Sequence, residues 1–273
     1  MNVEITEFEK RFCFELCPVT QLCGQNVRKK NYIFESLRRY FGTFKYSESK
    51  NKWRDNVFID NNQVGRKFFS VLSISNKTDI IQMIKMTKQS LLMEYVKNII
   101  QDFDWQLHMR NLSEEIEIMF QIINDQVNKV GDIEISYAMS DVWDMVQKSE
   151  VSGIDDTELS DKSNAELILI LLNIVDNVLK NNPKKTLILF ENLDHLVSLK
   201  EYVEIIHAAD TITKKYDLFF IFSSSLNKYV CCDIDFLEGI SVFGDVHFQM
   251  PEYNRLYPVS YTHLRAHETD QYL

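Results

Sequence analysis

The chain has 273 residues and a formal net charge of −10, and 45% of its residues are hydrophobic. This length and apolar content suffice for one sizeable core with a smaller lobe. Because no apolar run approaches the roughly 18 residues that span a bilayer, and because no basic stretch followed by an apolar one opens the chain, we expect a cytoplasmic protein without a membrane partner.

The N-terminal segment predicts a hairpin, a loop and a helix. Residues 3–6 and 12–16 alternate in polarity like two paired strands. A Gly-x-Asn loop follows within residues 21–31, and we predict a helix over residues 32–41. The order of strand, glycine-containing loop and helix is typical of phosphate-binding sites.

This loop resembles the phosphate-binding loop of chromosome-maintenance-type ABC ATPases, the SMC and RecF class. There it reads G-x-N-G-x-G-K-S/T, and its glycines let backbone N–H groups approach the phosphates. Three residues match the pattern: Gly24, Asn26 and Lys30. Val27 and Lys29 replace the inner glycines, and Asn31 replaces the hydroxyl that would hold magnesium. A β-branched Val27 takes a positive φ only with strain of about 1–3 kcal/mol, so we expect no tight phosphate cradle.

Basic residues are concentrated early in the chain. Residues 1–100 hold 17 of the 30 Lys and Arg residues, but only 10 of the 40 Asp and Glu residues. A charge so polarised allows a basic surface to face DNA while the acidic remainder faces solvent. Phosphate contacts of this kind do not read sequence. We predict them at eight clustered residues: Arg28, Lys29, Lys30, Arg66, Lys67, Lys77, Lys85 and Lys88.

Residues 76–158 predict a compact helical lobe inserted into an α/β head. One helix is expected to close by Phe103, and a second is expected to start at Ser113, which is followed by acidic residues. Carboxylates in the lobe and the head can supply the several oxygen ligands that an ion such as calcium prefers. The candidate ligands are four carboxylates, two from the lobe and two from the head: Glu114, Glu117, Glu191 and Asp194.

The stretch 159–196 resembles the signature, helix and Walker B strand of the same ATPases. Its helix should end near residues 181–183, because a proline cannot continue it, and the apolar run 186–190 suits a buried strand. Glu191 replaces the metal-binding aspartate of those ATPases, and Asn192 replaces the catalytic glutamate. Because an amide cannot take a proton from an attacking water, we expect no hydrolysis.

The C-terminal part adds a second buried strand, predicted over residues 218–222 and followed by three serines. The five cysteines of the chain show no CxxC pair, so we predict reduced, mostly buried thiols rather than a zinc site. The segment 259–273 resembles library-adapter read-through, and we predict that it is a non-native tail.

Together these segments resemble the ring-forming adaptation protein of type II-A CRISPR systems, the Csn-two family, in its longer subgroup. The resemblance spans residues 3–257 and rests on the segments LCGQNVRKKNY, NNQVGRKFFSV, MVQKS, LILFENLDHL, KEYVEIIHAAD and KYDLFFIFSSS. It implies an α/β, P-loop-NTPase-like fold, a degenerate ABC/SMC head with a mostly parallel sheet. Residues 1–75 and 159–258 would form that head, and residues 76–158 the inserted helical lobe.

The resemblance also implies a function. It implies a homotetrameric ring that encloses double-stranded DNA without sequence preference, loads at free ends and is supported by calcium, with no ATP requirement. Such a ring acts in spacer acquisition beside the adaptation integrase complex and the type II effector nuclease. Two alternatives stay open: an SMC/RecF-like ATPase or nucleotide-switched repair protein, and a scaffold of the adaptation complex that does not bind DNA. The retained Lys30 supports the first alternative, because a lysine alone still attracts phosphate.

Overall fold

The computed structural model describes residues 1–7, 10–42, 56–127, 148–154, 157–226 and 229–250, and residues 129, 135 and 146. The strands of this part are β1 (Asn2–Glu7), β2 (Lys10–Glu15), β3 (Val19–Cys23), β4 (Asn56–Ile59), β5 (Asn62–Gln63), β6 (Ser70–Ile74), β7 (Thr186–Phe190), β8 (Leu218–Ser223), β9 (Ile240–Phe243) and β10 (His247–Gln249). The α-helices are α1 (Val27–Phe41), α2 (Lys77–Ile84), α3 (Leu91–Ile99), α4 (Phe103–Val127), α5 (Asn164–Asn181) and α6 (Leu199–Thr213). The tail predicted at residues 259–273 lies outside the described residues.

The main sheet has six strands in the order β10-β9-β3-β8-β7-β6, and all of its pairings are parallel except that of β10 with β9. All five residues of β7 are buried, as expected for a strand covered on both faces. The sequence prediction of an α/β fold with a mostly parallel sheet is therefore confirmed. Both buried strands also begin at the predicted residues, 186 and 218.

A second, antiparallel sheet has the order β2-β1-β4-β5 and contains the predicted hairpin. In that hairpin Val3 pairs with Phe14 and Ile5 pairs with Phe12. Val3, Ile5 and Phe14 are buried against α1 and one face of the main sheet. The opposite face of the main sheet is covered by α5 and α6, so the sheet lies between two apolar cores.

The helix predicted over residues 32–41 begins earlier, at Val27. Val27 and Lys29 stand where the related loops have glycine, and each glycine in a helix would cost about 1 kcal/mol relative to alanine. With those glycines replaced, the helix extends by more than one turn toward β3.

The prediction of a helix start at Ser113 was wrong, because α4 runs without a break from Phe103 to Val127. The chain breaks instead at residues 100–102, where the Asp102 carboxylate accepts a hydrogen bond of 2.9 Å from the backbone N–H of Asp104. The start of α4 is therefore set by a capping residue, as predicted, but that residue is Asp102 rather than Ser113.

The helices α2 and α3 pack against α5. Ile80, Ile84 and Met93 belong to the apolar core on that face of the main sheet. The packed core of the head therefore includes the first two helices of the predicted lobe. No helix in the described ranges is long and apolar enough to cross a bilayer.

Candidate functional site

The site predicted from the sequence lies at the carboxyl edge of the main sheet, the edge where β3, β6, β7 and β8 end. The loop from β3 to α1 contains Gly24, whose φ is +94°. A Cβ built at Gly24 would lie 2.6 Å from the carbonyl oxygen of Phe243, so no side chain fits there. The loop therefore packs directly against the end of β9.

Asn26 closes this loop with its backbone and its side chain. Its backbone N–H donates to the Phe243 carbonyl at 2.8 Å, and its Nδ2 donates to the Gly244 carbonyl at 3.3 Å. Its Oδ1 accepts from the backbone N–H of Lys29 at 3.0 Å, which caps α1. The backbone amide groups of Asn26 and Lys29 in this loop are thus engaged within the protein.

Lys30 lies at the centre of the predicted site, and it is fully buried with 0% exposure. Its Nζ donates to the Gly24 carbonyl at 2.7 Å and to the carbonyl of Ser224, just beyond β8. Burial lowers the pKa of this ammonium, and the negative charge of Asp194 partly offsets that effect. In this conformation the Lys30 ammonium ties the loop to the end of β8 and does not reach solvent.

The two residues after β7 also make contacts within the protein. The Glu191 carboxylate accepts a hydrogen bond of 2.9 Å from the Ser75 hydroxyl, which follows β6. Asn192 has a left-handed backbone with φ 51° and ψ 47°. An asparagine tolerates that conformation better than most residues. The Oδ1 of Asn192 is buried without a hydrogen-bond partner, and so is the Oδ1 of Asn31 on α1.

Asp194 closes the end of β8. Its Oδ2 accepts hydrogen bonds from the backbone N–H groups of Ser225 and Leu226, at 2.8 Å and 2.6 Å, and from the Ser225 hydroxyl at 3.0 Å. The Nε2 of His195 lies 2.6 Å from the same hydroxyl. In a nucleophilic triad the carboxylate would orient the histidine through the other ring nitrogen. Here the carboxylate accepts its hydrogen bonds from Ser225 and Leu226 instead. The side chains of Asp194, His195 and Ser225 therefore cap the segment that follows β8 and do not form a triad.

The signature-like segment forms a 3-10 turn, Leu159–Asp161, followed by α5. Lys77, at the start of α2, donates to the carbonyls of Ser160 and Lys162 at 2.7 Å and 2.8 Å. The predicted phosphate contact Lys77 is therefore already bonded within the protein. Lys77 also lines a shallow cleft of about 430 Å³ between the N-termini of α5 and α6.

The other predicted basic residues lie at two opposite edges of the main sheet. Arg28 is exposed in the first turn of α1, at the carboxyl edge, and the neighbouring Lys29 donates to the Asp245 carbonyl at 3.4 Å. Arg66 and Lys67 are exposed just before β6, at the amino edge, where the parallel strands begin. One predicted surface thus divides into two.

Lys85 and Lys88 belong to the amino edge as well. Both are exposed in the connection between α2 and α3. Glu94, in the first turn of α3, contacts the Nζ of Lys184 at 2.8 Å, and Lys184 precedes β7 by two residues. We call the exposed residues Arg66, Lys67, Lys85 and Lys88 the amino-edge basic group.

The four predicted calcium ligands belong to separate elements. Glu114 and Glu117 are exposed on α4, and the Glu114 carboxylate lies 3.4 Å from Arg110. Glu191 and Asp194 follow β7, where they accept the hydrogen bonds described above. Within the described residues these four carboxylates do not form a cluster that could hold a metal, and calcium binding stays a prediction.

Sequence reasoning missed the residues that complete this site from far along the chain. Phe243 and Gly244 cover the loop, Ser224 binds Lys30, and Ser75 binds Glu191. Most of these contacts use backbone carbonyls, and a carbonyl leaves no residue-specific signal in the sequence. The three serines at 223–225 were visible in the sequence, but nothing there connected Ser224 with Lys30.

The fold combines a mostly parallel sheet with a separate antiparallel sheet. A strand, a loop and a helix follow one another at the carboxyl edge of the main sheet, and a signature-like turn precedes α5. These features define the fold of a P-loop-type head of the ABC and SMC class. The family model described as CRISPR-associated protein Csn2 subfamily St matches residues 5–267. The chain belongs to this family.

Solved structures agree with this fold. The crystal structure of Stu0660 of Streptococcus thermophilus is similar with a TM-score of 0.80 and 22% identity, covering 92% of this chain and 76% of that one. The crystal structure of an SmcHead bound to the C-winged helix domain of ScpA is similar with a TM-score of 0.51 and 13% identity, covering 93% of this chain and 98% of that one. A comparison with curated proteins gave no match.

Proposed function

We propose that this protein is a sequence-independent double-stranded DNA-binding ring that acts in CRISPR spacer acquisition without ATP turnover. Membership of the Csn2 family supports the CRISPR role. The observation that carries the absence of turnover is the position of Lys30, whose ammonium is buried against two backbone carbonyls. A phosphate could bind Lys30 only after the loop opened and both hydrogen bonds broke.

The groups that would carry out hydrolysis point to the same conclusion. In P-loop ATPases the Walker A hydroxyl and the Walker B aspartate hold magnesium, and a carboxylate activates the attacking water. Asn31 and Asn192 offer amides at two of these positions, and Glu191 is bonded to Ser75. Without a base, a bound nucleotide would persist uncleaved.

We propose that the amino-edge basic group contacts the DNA backbone. Its four residues are exposed and come from two connections of the chain at the amino edge of the main sheet. Lys30 and Lys77 are excluded from this surface because their ammonium groups are bonded to carbonyls. Phosphate contacts of this kind give affinity without sequence preference and make binding strongly dependent on salt.

Charge reversal tests this placement. We expect Arg66→Glu with Lys67→Glu to weaken binding of linear duplex and to make the plot of log K against log salt less steep by about 2 per subunit. The matched variant at the other edge, Arg28→Glu with Lys29→Glu, is expected to have the smaller effect. Lys200→Glu, at a side chain that is 88% exposed on α6, shows the effect of a single charge reversal elsewhere on the surface. A larger loss from the Arg28 and Lys29 pair would overturn the placement.

The measurement is fluorescence anisotropy with a labelled linear duplex, repeated with closed circular DNA as competitor. A ring that loads at ends predicts weak competition by closed circles. Absence of any shift at low salt would favour the scaffold alternative. Steady phosphate release in the presence of DNA would favour the ATPase alternative.

We propose that ring assembly and calcium are linked, as the family resemblance implies. The expected species is a homotetramer that sediments as such with calcium and dissociates in EGTA. Equal sedimentation in both conditions would remove calcium from the proposal while leaving DNA binding untouched. Contacts with the adaptation integrase complex and the type II effector nuclease are further expectations, and co-purification of the three components tests them.

A further inference from the structure

A cluster of side chains that could bind a metal lies away from the site described above. It joins His207 of α6 to Cys231 and Asp233, which follow β8 in the chain. The His207 Nε2 lies 2.9 Å from the Asp233 Oδ2, and the Cys231 Sγ lies 3.5 Å from the same oxygen. All three ligand atoms lie within 4.8 Å of one another.

The distance between the Cys231 Sγ and the Asp233 Oδ2 fits the geometry of a tetrahedral ion. Zinc binds nitrogen and oxygen at about 2.0–2.2 Å and sulfur at about 2.3 Å, which separates neighbouring ligand atoms by about 3.3–3.6 Å. The His207 and Asp233 side chains are 52% and 58% exposed. They can therefore shift to the spacing that a bound ion requires.

Cys231 is fixed to the centre of the head. Its backbone N–H donates to the Gln21 Oε1 at 2.8 Å, and its carbonyl accepts from the Gln21 Nε2 at 2.9 Å. The Tyr202 hydroxyl donates to the same Gln21 Oε1 at 3.2 Å. Gln21 belongs to β3, so this network holds the thiol at one place relative to the sheet.

The imidazole is oriented by packing. The His207 ring meets the ring of the buried Phe236 edge-on, with centroids 5.2 Å apart. Asp233 directly precedes the 3-10 turn Ile234–Gly239 and its carbonyl accepts from the Phe236 N–H at 2.9 Å. The three ligands thus come from two segments that are each packed on the core, and such preorganisation is what a metal site requires.

We propose that His207, Cys231 and Asp233 form a binding site for a divalent transition metal of the zinc class, with water as the fourth ligand. A thiolate and an imidazole select zinc or cobalt over calcium and magnesium, which prefer oxygen ligands alone. On binding, the Cys231 thiol loses its proton to solvent as the sulfur–metal bond forms, while His207 binds as the neutral imidazole. The ion joins α6 to the segment after β8, whose first residues hold Lys30.

This proposal departs from the prediction that the cysteines form no zinc site. That prediction looked for CxxC spacing. Here the two residues that complete the site with Cys231 are a histidine 24 positions earlier and an aspartate two positions later. Neither spacing belongs to a recognised pattern, and only folding brings them together.

Cobalt titration of the chelator-treated full chain tests the proposal. We expect one cobalt per chain, an intense near-ultraviolet charge-transfer band from the thiolate, visible bands of tetrahedral cobalt, and loss of all bands on adding zinc. Cys231→Ser should abolish the charge-transfer band. His207→Gln should weaken cobalt binding at least tenfold, and its exposed position makes it the variant that keeps the fold.

Two controls separate this site from other thiols and imidazoles. Cys232→Ser and His195→Gln are expected to leave the cobalt spectrum and affinity unchanged. Cobalt binding without a charge-transfer band, a band that survives in Cys231→Ser, or wild-type affinity in His207→Gln would each overturn the proposal. Because none of these measurements involves DNA or nucleotide, their outcome is independent of the proposed function.

Discussion

Replacement of Lys30 distinguishes a lysine that holds the structure together from one that binds phosphate. Lys30→Met keeps most of the side-chain volume but removes the ammonium that binds the Gly24 and Ser224 carbonyls. Leaving each of these two carbonyls without its partner costs about 1–3 kcal/mol, and the relief from burying one charge fewer offsets part of that combined loss. We therefore expect Lys30→Met to lower the free energy of unfolding by about 1–3 kcal/mol.

Lys30→Ala also empties the space that the side chain fills. Truncating a buried chain of this length to alanine costs about 2–5 kcal/mol more. The neighbouring Lys29 is half-buried and its Nζ makes one contact, at 3.4 Å, with the Asp245 carbonyl. Lys29→Ala is therefore the matched control, and we expect it to stay within about 0.5 kcal/mol of the wild type.

Urea unfolding followed by circular dichroism measures all three variants, and equal m-values would show that the unfolding reaction is the same. Thermal unfolding with and without Mg-ATP completes the experiment. A Lys30→Met protein as stable as the wild type, combined with a rise in melting temperature on nucleotide addition that only the wild type shows, would refute the structural role of Lys30.

Two further predictions concern the loop and a helix start. Gly24→Ala should destabilise the protein by about 2–4 kcal/mol, because the added Cβ would lie 2.6 Å from a backbone oxygen at a φ of +94°. Gly65→Ala is the control, since a Cβ at Gly65 meets nothing within 4 Å. We expect it to change the free energy of unfolding by less than about 0.5 kcal/mol. The Ser198 backbone N–H at the start of α6 holds the pKa of Glu201 below its ordinary 4.5, so the stability that this carboxylate contributes is present above that pH and is lost as pH falls through the lowered value. Urea unfolding of Glu201→Gln should therefore show a deficit at neutral pH that shrinks in acid, and a deficit that is constant with pH would contradict this.

The sequence predicted the parts of the fold that depend on local pattern. The buried strands at residues 186 and 218 begin where they were predicted, and α5 ends at Asn181, just before the proline. Apolar runs and a proline are local signals, and no distant contact changes their meaning. The pairing of β3 with both β8 and β9 depends on contacts more than 190 residues apart in the chain, which a single sequence does not show.

The candidate site was predicted at the level of residues but not of contacts. The sequence predicted that the loop would not form a tight cradle, from the replacement of glycine at Val27, and the structure has Val27 within α1. It did not predict that Lys30 binds carbonyls, because the carbonyl of Ser224 acquires that role only through the register of β3 with β8. The sequence also did not predict that the basic residues lie at two edges of the sheet, since residues 28 and 66 belong to one basic segment of the sequence.

The retention of Lys30 had supported a nucleotide-binding alternative, and helix geometry supplies a different reason for it. Once α1 begins at Val27, Lys30 occupies the same face as Ile33, Phe34 and Leu37, at spacings of three, four and seven residues, and all four are buried. A lysine on that face must find acceptors for its ammonium or leave a buried charge unpaired. The carbonyls of Gly24 in the loop and of Ser224, just beyond β8, are those acceptors. We therefore infer that the start of α1 at Val27 and the burial of Lys30 depend on each other. A variant that restores glycine at residues 27 and 29 should shorten α1 and return the Lys30 ammonium to solvent. Faster amide hydrogen exchange confined to the first turn of α1 is the expected result, and unchanged exchange there would show that the two features are unrelated.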